Sequence, residues 1–161
     1  MKKNFIFLIV IMTLSFNYII YSFDVEDFKS GMTKSTVHSI LLNKKFDKIE
    51  TEEDRIVAYD LPQTEVSRLY SFNFYKGKLV RLQKNLKPSL KFFIKMSEQF
   101  NRDFGKPFDV IASNCIDVPG EIYSLILIWK NKGESIELNY NIYPDNHQLF
   151  VVYKEPNNHF K

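Results

Sequence analysis

The stretch YSLILIWKNKGESIELNYNIYPDNHQLFVVYKE, residues 123–155, decides the kind of fold this chain adopts. Ile136, Leu138, Tyr140 and Ile142 alternate with Ser135, Glu137, Asn139 and Asn141. That period of two is the pattern of a strand with one buried and one wet face. Asn131-Lys132-Gly133 and Pro144-Asp145-Asn146 supply turn chemistry, so the stretch divides into three strands. In the first, Leu125, Leu127 and Trp129 fall on one face and Ile126 and Ile128 on the other, while LFVVY at 149–153 is apolar on both faces. Just upstream, DVIASNCIDV at 109–118 reads as a further strand.

Toward the N-terminus the period changes. From Lys87-Pro88-Ser89 to Phe104 the apolar residues Leu90, Phe93, Met96, Phe100 and Phe104 trace one helical stripe, stopped by Gly105 and Pro107. SRLYSFNFYKGKLVRLQ at 67–83 predicts a β-hairpin turning at Lys76-Gly77, with Tyr70, Phe72 and Phe74 on one face. Ile56 to Tyr59 forms a strand behind the acidic run ETEED at 50–54. In KSGMTKSTVHSIL at 29–41, Thr33 is an N-cap, Met32 is placed to pack on Val37, and Gly31 gives the chain freedom to turn. The helix it starts runs from Lys34 to Leu42, with Asn43 as a left-handed stop. These elements predict a single α+β domain over 23–155: two helix-plus-β-meander repeats, 27–86 and 87–155, with two helices packed on one face of an antiparallel sheet. Residues 156–161 read as a flexible tail.

The first residues carry a different signal. Met1-Lys2-Lys3 precedes an acid-free apolar run interrupted by Ser15 and Asn17, which is the pattern of a secretory signal peptide over 1–22, cleaved near Ser22. Loss of two lysines and no acid takes the net charge from +3 to +1. Nearly balanced charge argues against nucleic acid as a partner, because binding to phosphate backbones rests on clustered Lys and Arg. Cys115 is the only cysteine, so no disulfide forms within the chain, and it reads as a buried apolar thiol.

GMTKSTV at 31–37, FYKGKL at 74–79 and FNRDFGKP at 100–107 together resemble signatures of the SmpA/OmlA family of small bacterial envelope proteins, whose fold recurs in β-lactamase-inhibitor proteins. The resemblance covers most of residues 27–110. It implies a protein-binding module of the envelope, with roles such as assembly support or enzyme inhibition. The chain departs from the family in having Leu42-Asn43-Lys44-Lys45 after the first helix and no cysteine to carry a lipid near position 22.

Catalytic patterns are sparse. The three histidines, His38, His147 and His159, fall on a helix flank, beside a turn and in the tail, and five glycines leave no phosphate-cradling loop. Glu50, Glu52, Glu53 and Asp54 lack the spacing of a calcium loop. The expectation is an exported, non-catalytic module that binds another envelope or extracellular protein, with no cofactor, no metal and no stable membrane insertion once the leader is removed. Its partner surface draws on Tyr75, Tyr123, Trp129 and Tyr153, since Tyr and Trp carry much of the binding energy at interfaces. The alternative is a small secreted hydrolase or ligand binder with a cleft between helices and sheet, using His38 or Cys115. Intact-mass measurement on protein from its native host is expected to place the mature N-terminus at Phe23, and a retained 1–22 segment would overturn export by cleavage.

Overall fold

The computed structural model describes residues 23–63, 67–117, 120–131 and 133–155. The leader expected over 1–22 and the tail 156–161, with His159, lie outside the described residues. Two short strands, β1 (Asp24–Val25) and β2 (Phe28–Lys29), form a small ribbon. Helix α1 (Lys34–Asn43) follows, then β3 (Lys48–Thr51), β4 (Arg55–Tyr59), β5 (Leu69–Tyr75) and β6 (Lys78–Leu86). Helix α2 (Leu90–Phe104) leads into β7 (Asp109–Asp117), β8 (Gly120–Asn131), β9 (Glu134–Ile142) and β10 (His147–Lys154). The eight longer strands make one antiparallel sheet in the order β3-β4-β5-β6-β10-β9-β8-β7.

The class differs from the sequence expectation. Among the described residues strand takes 52% and helix 20%, so the protein is mostly β there rather than a balanced α+β of helix-plus-meander repeats. Pairing of β6 with β10 runs from Leu86↔Leu149 to Arg81↔Lys154, and this ladder joins the strands of both halves into one continuous antiparallel sheet. The physical reason is strand length: β7 to β10 run eight to twelve residues each, against helices of only ten and fifteen.

Local chemistry sets each element. The Thr33 Oγ1 accepts the Thr36 N–H at 3.2 Å, and Ser89 caps α2 by accepting the Phe92 N–H at 3.4 Å. Helix α1 ends with Lys44 N–H donating to the Ile40 carbonyl at 3.1 Å. The left-handed residue is Lys45 (φ 54°), not Asn43, because the helix runs one residue further than Leu42. Gly105, at φ 82°, closes α2. Lys76 and Gly77 both have positive φ, 49° and 73°, as a two-residue turn matched to strand twist requires. Opposite Asn73 and Phe74 the ladder slips by one residue on β6, so Leu79 and Leu82 both reach the core despite their odd spacing.

The Gly31-Met32-Thr33 step does more than start a helix. Gly31 N–H donates to the Leu79 carbonyl at 2.8 Å, Leu79 N–H donates to the Met32 carbonyl at 2.9 Å, and Thr33 bridges Lys78. The cap of α1 is thereby tied to the start of β6.

Two hydrophobic clusters lie under the helix-bearing face. One packs Val37 and Leu41 of α1 and Phe23 and Phe28 against Ile56, Phe72 and Leu82, with the Phe28 and Phe72 rings 4.7 Å apart. The other packs Phe93 and Phe100 of α2 on Trp129, Ile136, Leu138, Leu149 and Val151. Tyr153 touches both. On the opposite face, side chains of the sheet itself cover their neighbours: Arg81 bonds Asn73 and Gln83, Arg55 bonds Ser71, and Lys154 pairs with Glu137.

Phe72→Ala is expected to cost about 3–5 kcal/mol, lowering the melting temperature by roughly 10–20 °C, because a wholly buried ring leaves a cavity. Phe108→Ala, at a ring 66% exposed, should change it by no more than about a quarter of that. Thermal unfolding followed by circular dichroism checks both, and equal losses would refute the core placement.

Candidate functional site

An apolar cleft forms where α2 runs out of sheet to cover. A helix with its side chains is about 10 Å wide, roughly two strand spacings. Helix α2 lies on β8 and β9, so the outermost strand β7 and the far ends of β8 and β9 extend past it. The register sets Asn114 opposite Tyr123 and Ala112 opposite Leu125 across β7–β8, then Tyr123 opposite Ile142 and Leu125 opposite Tyr140 across β8–β9. These side chains and Leu90, from the first turn of α2, line a cleft of about 650 Å³. Leu90 is 57% exposed, Tyr123 48% and Ile142 37%, which is unusual for large apolar side chains grouped together. Ile94, one turn along the helix from Leu90, is exposed as well.

Polar groups sit at the rim. Tyr140 Oη and His147 Nδ1 are 2.8 Å apart, with the rings edge to face. Glu121, hydrogen-bonded to the Tyr123 phenol, raises that phenol above the usual tyrosine range. A smaller cleft of about 340 Å³ lies near Tyr59, Arg68, Asn85 and Gln148. Its one guanidinium is already engaged: Arg68 Nε and Nη2 donate to the two Asp60 carboxylate oxygens at 2.7 and 2.9 Å, which holds Asp60 below the ordinary carboxylate range.

Of the four aromatic residues singled out from the sequence, Tyr123 lines the apolar cleft. Tyr75 is exposed at the end of β5 with Lys76 Nζ 5.3 Å from its ring, four strands away from Tyr123 in the sheet order. Trp129 is a correction: it is fully buried, its indole N–H donating to Asn101 Oδ1 at 3.2 Å and the Gly105 carbonyl at 3.1 Å, with Phe100 edge-on at 5.2 Å. It anchors α2 and has no surface to offer a partner. Tyr153 is partly buried between the two clusters, 6.4 Å from the Phe23 ring, and has little to offer either.

The pair His38 and Cys115 does not converge. His38 is on α1, which packs on β4, whereas Cys115 is on β7, six strand spacings of about 4.8 Å further along the sheet. The Cys115 side chain lies outside the described residues. In the acidic run, Glu50 is taken by Lys48 at 2.6 Å and by the Tyr59 hydroxyl at 2.9 Å, while Lys34 donates to the backbone carbonyls of Glu52 and Glu53. Among the described residues no group of three or more His, Cys, Asp or Glu side chains could hold a metal ion, and no helix is long and apolar enough to cross a membrane.

Leu90 and Ile142 are the site residues that sequence reasoning missed. Each continued an apolar stripe and was therefore assigned to the core. The available signal was position, since both lie at element ends, Leu90 beside Pro88-Ser89 and Ile142 just before Pro144. Compared with family models, with curated proteins and with solved structures, the chain matches none.

Burial pushes the Tyr153 phenol up from 10.0 to about 12. The folded state thus keeps its proton at pH values where the unfolded chain has lost it. The stabilisation is complete below about pH 10 and is lost as pH rises toward about 12. Urea melts over that window should show Tyr153→Phe losing less stability than the parent chain, and parallel losses would refute the buried phenol.

Proposed function

We propose that this protein is an exported binding module, without catalysis of its own, that docks another envelope or extracellular protein in the cleft between α2 and the β7–β8 end of the sheet. The carrying observation is the grouping of exposed Leu90, Tyr123 and Ile142 around one apolar hollow. Large apolar side chains left exposed together mark interaction sites, and a tyrosine at such a rim offers both ring area and a polar tip. The leader-like residues 1–22 support export. The resemblance to SmpA/OmlA envelope proteins points the same way, and two of the segments that carry it, Gly31-Met32-Thr33 and Lys76-Gly77-Lys78-Leu79, pair with each other here.

A second reading keeps the cleft and changes the occupant to an apolar small molecule. It is favoured by the cleft's volume, which falls within the range of ordinary ligand pockets, and by the Tyr140–His147 pair at its rim.

The test compares the parent chain with a Leu90→Ser/Tyr123→Ala variant, both substitutions being at exposed positions. A partner captured from native envelope extract is purified and its affinity measured by titration calorimetry. Loss of at least about 30-fold in the variant, with the melting temperature unchanged, is expected for a hot-spot tyrosine. Unchanged affinity removes the cleft as the docking surface. A native extract that yields only a co-purifying apolar small molecule, identified by mass spectrometry, favours the second reading.

A further inference from the structure

The sheet has two edges, and they are finished differently. At one end, β3 is four residues long and carries Lys48 and Glu50, features that blunt an edge against pairing. At the other, β7 is nine residues long and contains no Lys, Arg or Pro. Residues 109–114 are all exposed, and β8 is the only strand that pairs with β7 among the described residues. Alternate residues of such a strand turn N–H and C=O groups outward, away from β8, and of the β7 amides the Val110 N–H is taken by the Asp109 carboxylate at 2.8 Å. The exposed edge borders the apolar cleft, because Ala112 and Asn114 belong to both.

Charge says what does and does not fit this edge. Between Asp109 and Asp117 the strand is uncharged. An antiparallel second copy of β7, centred on Ser113, would set Asp109 against Asp117 at both ends, and like charges directly opposite each other oppose pairing. A strand with basic residues at those two positions would instead set opposite charges in register at each end. Residues of the incoming strand in line with Val110, Ala112 and Asn114 would lie on the helix-bearing side of the sheet, beside Leu90 and Tyr123.

We infer that β7 is a docking edge for an extended segment of another protein, basic at both ends, uncharged between them and apolar at the alternate positions that face the cleft. This deepens the protein-binding reading and rests on it. Main-chain hydrogen bonds to β7 supply the pairing, and the cleft selects the side chains.

The probe is a fluorescent nine-residue peptide, Lys-Val-Thr-Val-Thr-Val-Thr-Val-Lys, N-methylated at alternate residues so that one edge can pair. A Glu-flanked version and a version methylated on the opposite edge serve as comparisons. Binding to the full chain is followed by anisotropy, and the β7 amides by hydrogen exchange. The Lys-flanked peptide is expected to bind at least about tenfold more tightly than the Glu-flanked one and to protect outward amides between Ile111 and Ile116. The Asp109→Lys/Asp117→Lys variant should reverse the preference.

Equal affinity for the two peptides, or no binding of either at about 1 mM, overturns the inference. Binding that Tyr123→Ala abolishes, but that leaves the β7 amides unprotected, overturns strand addition while leaving the cleft as a protein-docking surface. A free chain that is dimeric with those amides already protected assigns the edge to a second copy and likewise overturns it. The protein-docking reading itself is decided separately, by the affinity of the captured partner for the Leu90→Ser/Tyr123→Ala variant.

Discussion

The pairing of β6 with β10 is the constraint on which the rest of the structure depends. It joins residues 81–86 to residues 149–154, the last described strand lying in the middle of the sheet. No hairpin turn enforces that contact, so the entropy of closing a loop of more than 60 residues must be offset by what the junction buries. Leu149 and Val151 supply that burial on the α2 side, Leu82 on the α1 side, and Tyr153 touches both clusters. Without this ladder each hydrophobic cluster would back onto a four-stranded sheet with a raw central edge.

The same junction positions the candidate site. With β10 inside, the three strands before it are stacked outward in reverse order, and β7 becomes the outermost. Helix α2, which runs directly into β7, packs on β8 and β9, where Trp129, Ile136 and Tyr140 meet Phe93 and Phe100. One helix cannot cover three strands and the far ends of two of them. The apolar side chains past its footprint are therefore left facing the cleft.

The two faces of the sheet handle exposure by different means. The helix-free face lays Arg55, Arg81 and Lys154 over the sheet, each bonded to a neighbour, and burial lowers Arg81 from its ordinary range. Asn85 Oδ1 and Asn139 Nδ2 are buried there without a partner among the described residues, one on each side of Phe150 in the register. Among the described residues no such polar cover extends over the cleft beside α2, where Leu90, Tyr123 and Ile142 remain open. This asymmetry places the apolar contact surface on the α2 flank.

What the sequence by itself determined was local. The cap at Thr33, the stop at Gly105, the Lys76-Gly77 turn and the alternation along β5 and β9 each depend on residues within a few positions of one another. Such signals survive in one dimension because short-range hydrogen bonds and side-chain periodicity do not need the rest of the fold. The overall class differs because two clear helical signals stand beside strand runs that hold most of the described residues. Only the tertiary structure decided which apolar residues are covered. Trp129, an aromatic in a strand, is sealed under α2, while Leu90 and Ile142, members of core-like stripes, are exposed. Burial depends on where a helix ends above a sheet and which strand lies at its edge, and both follow from the long-range β6–β10 contact that no local pattern encodes.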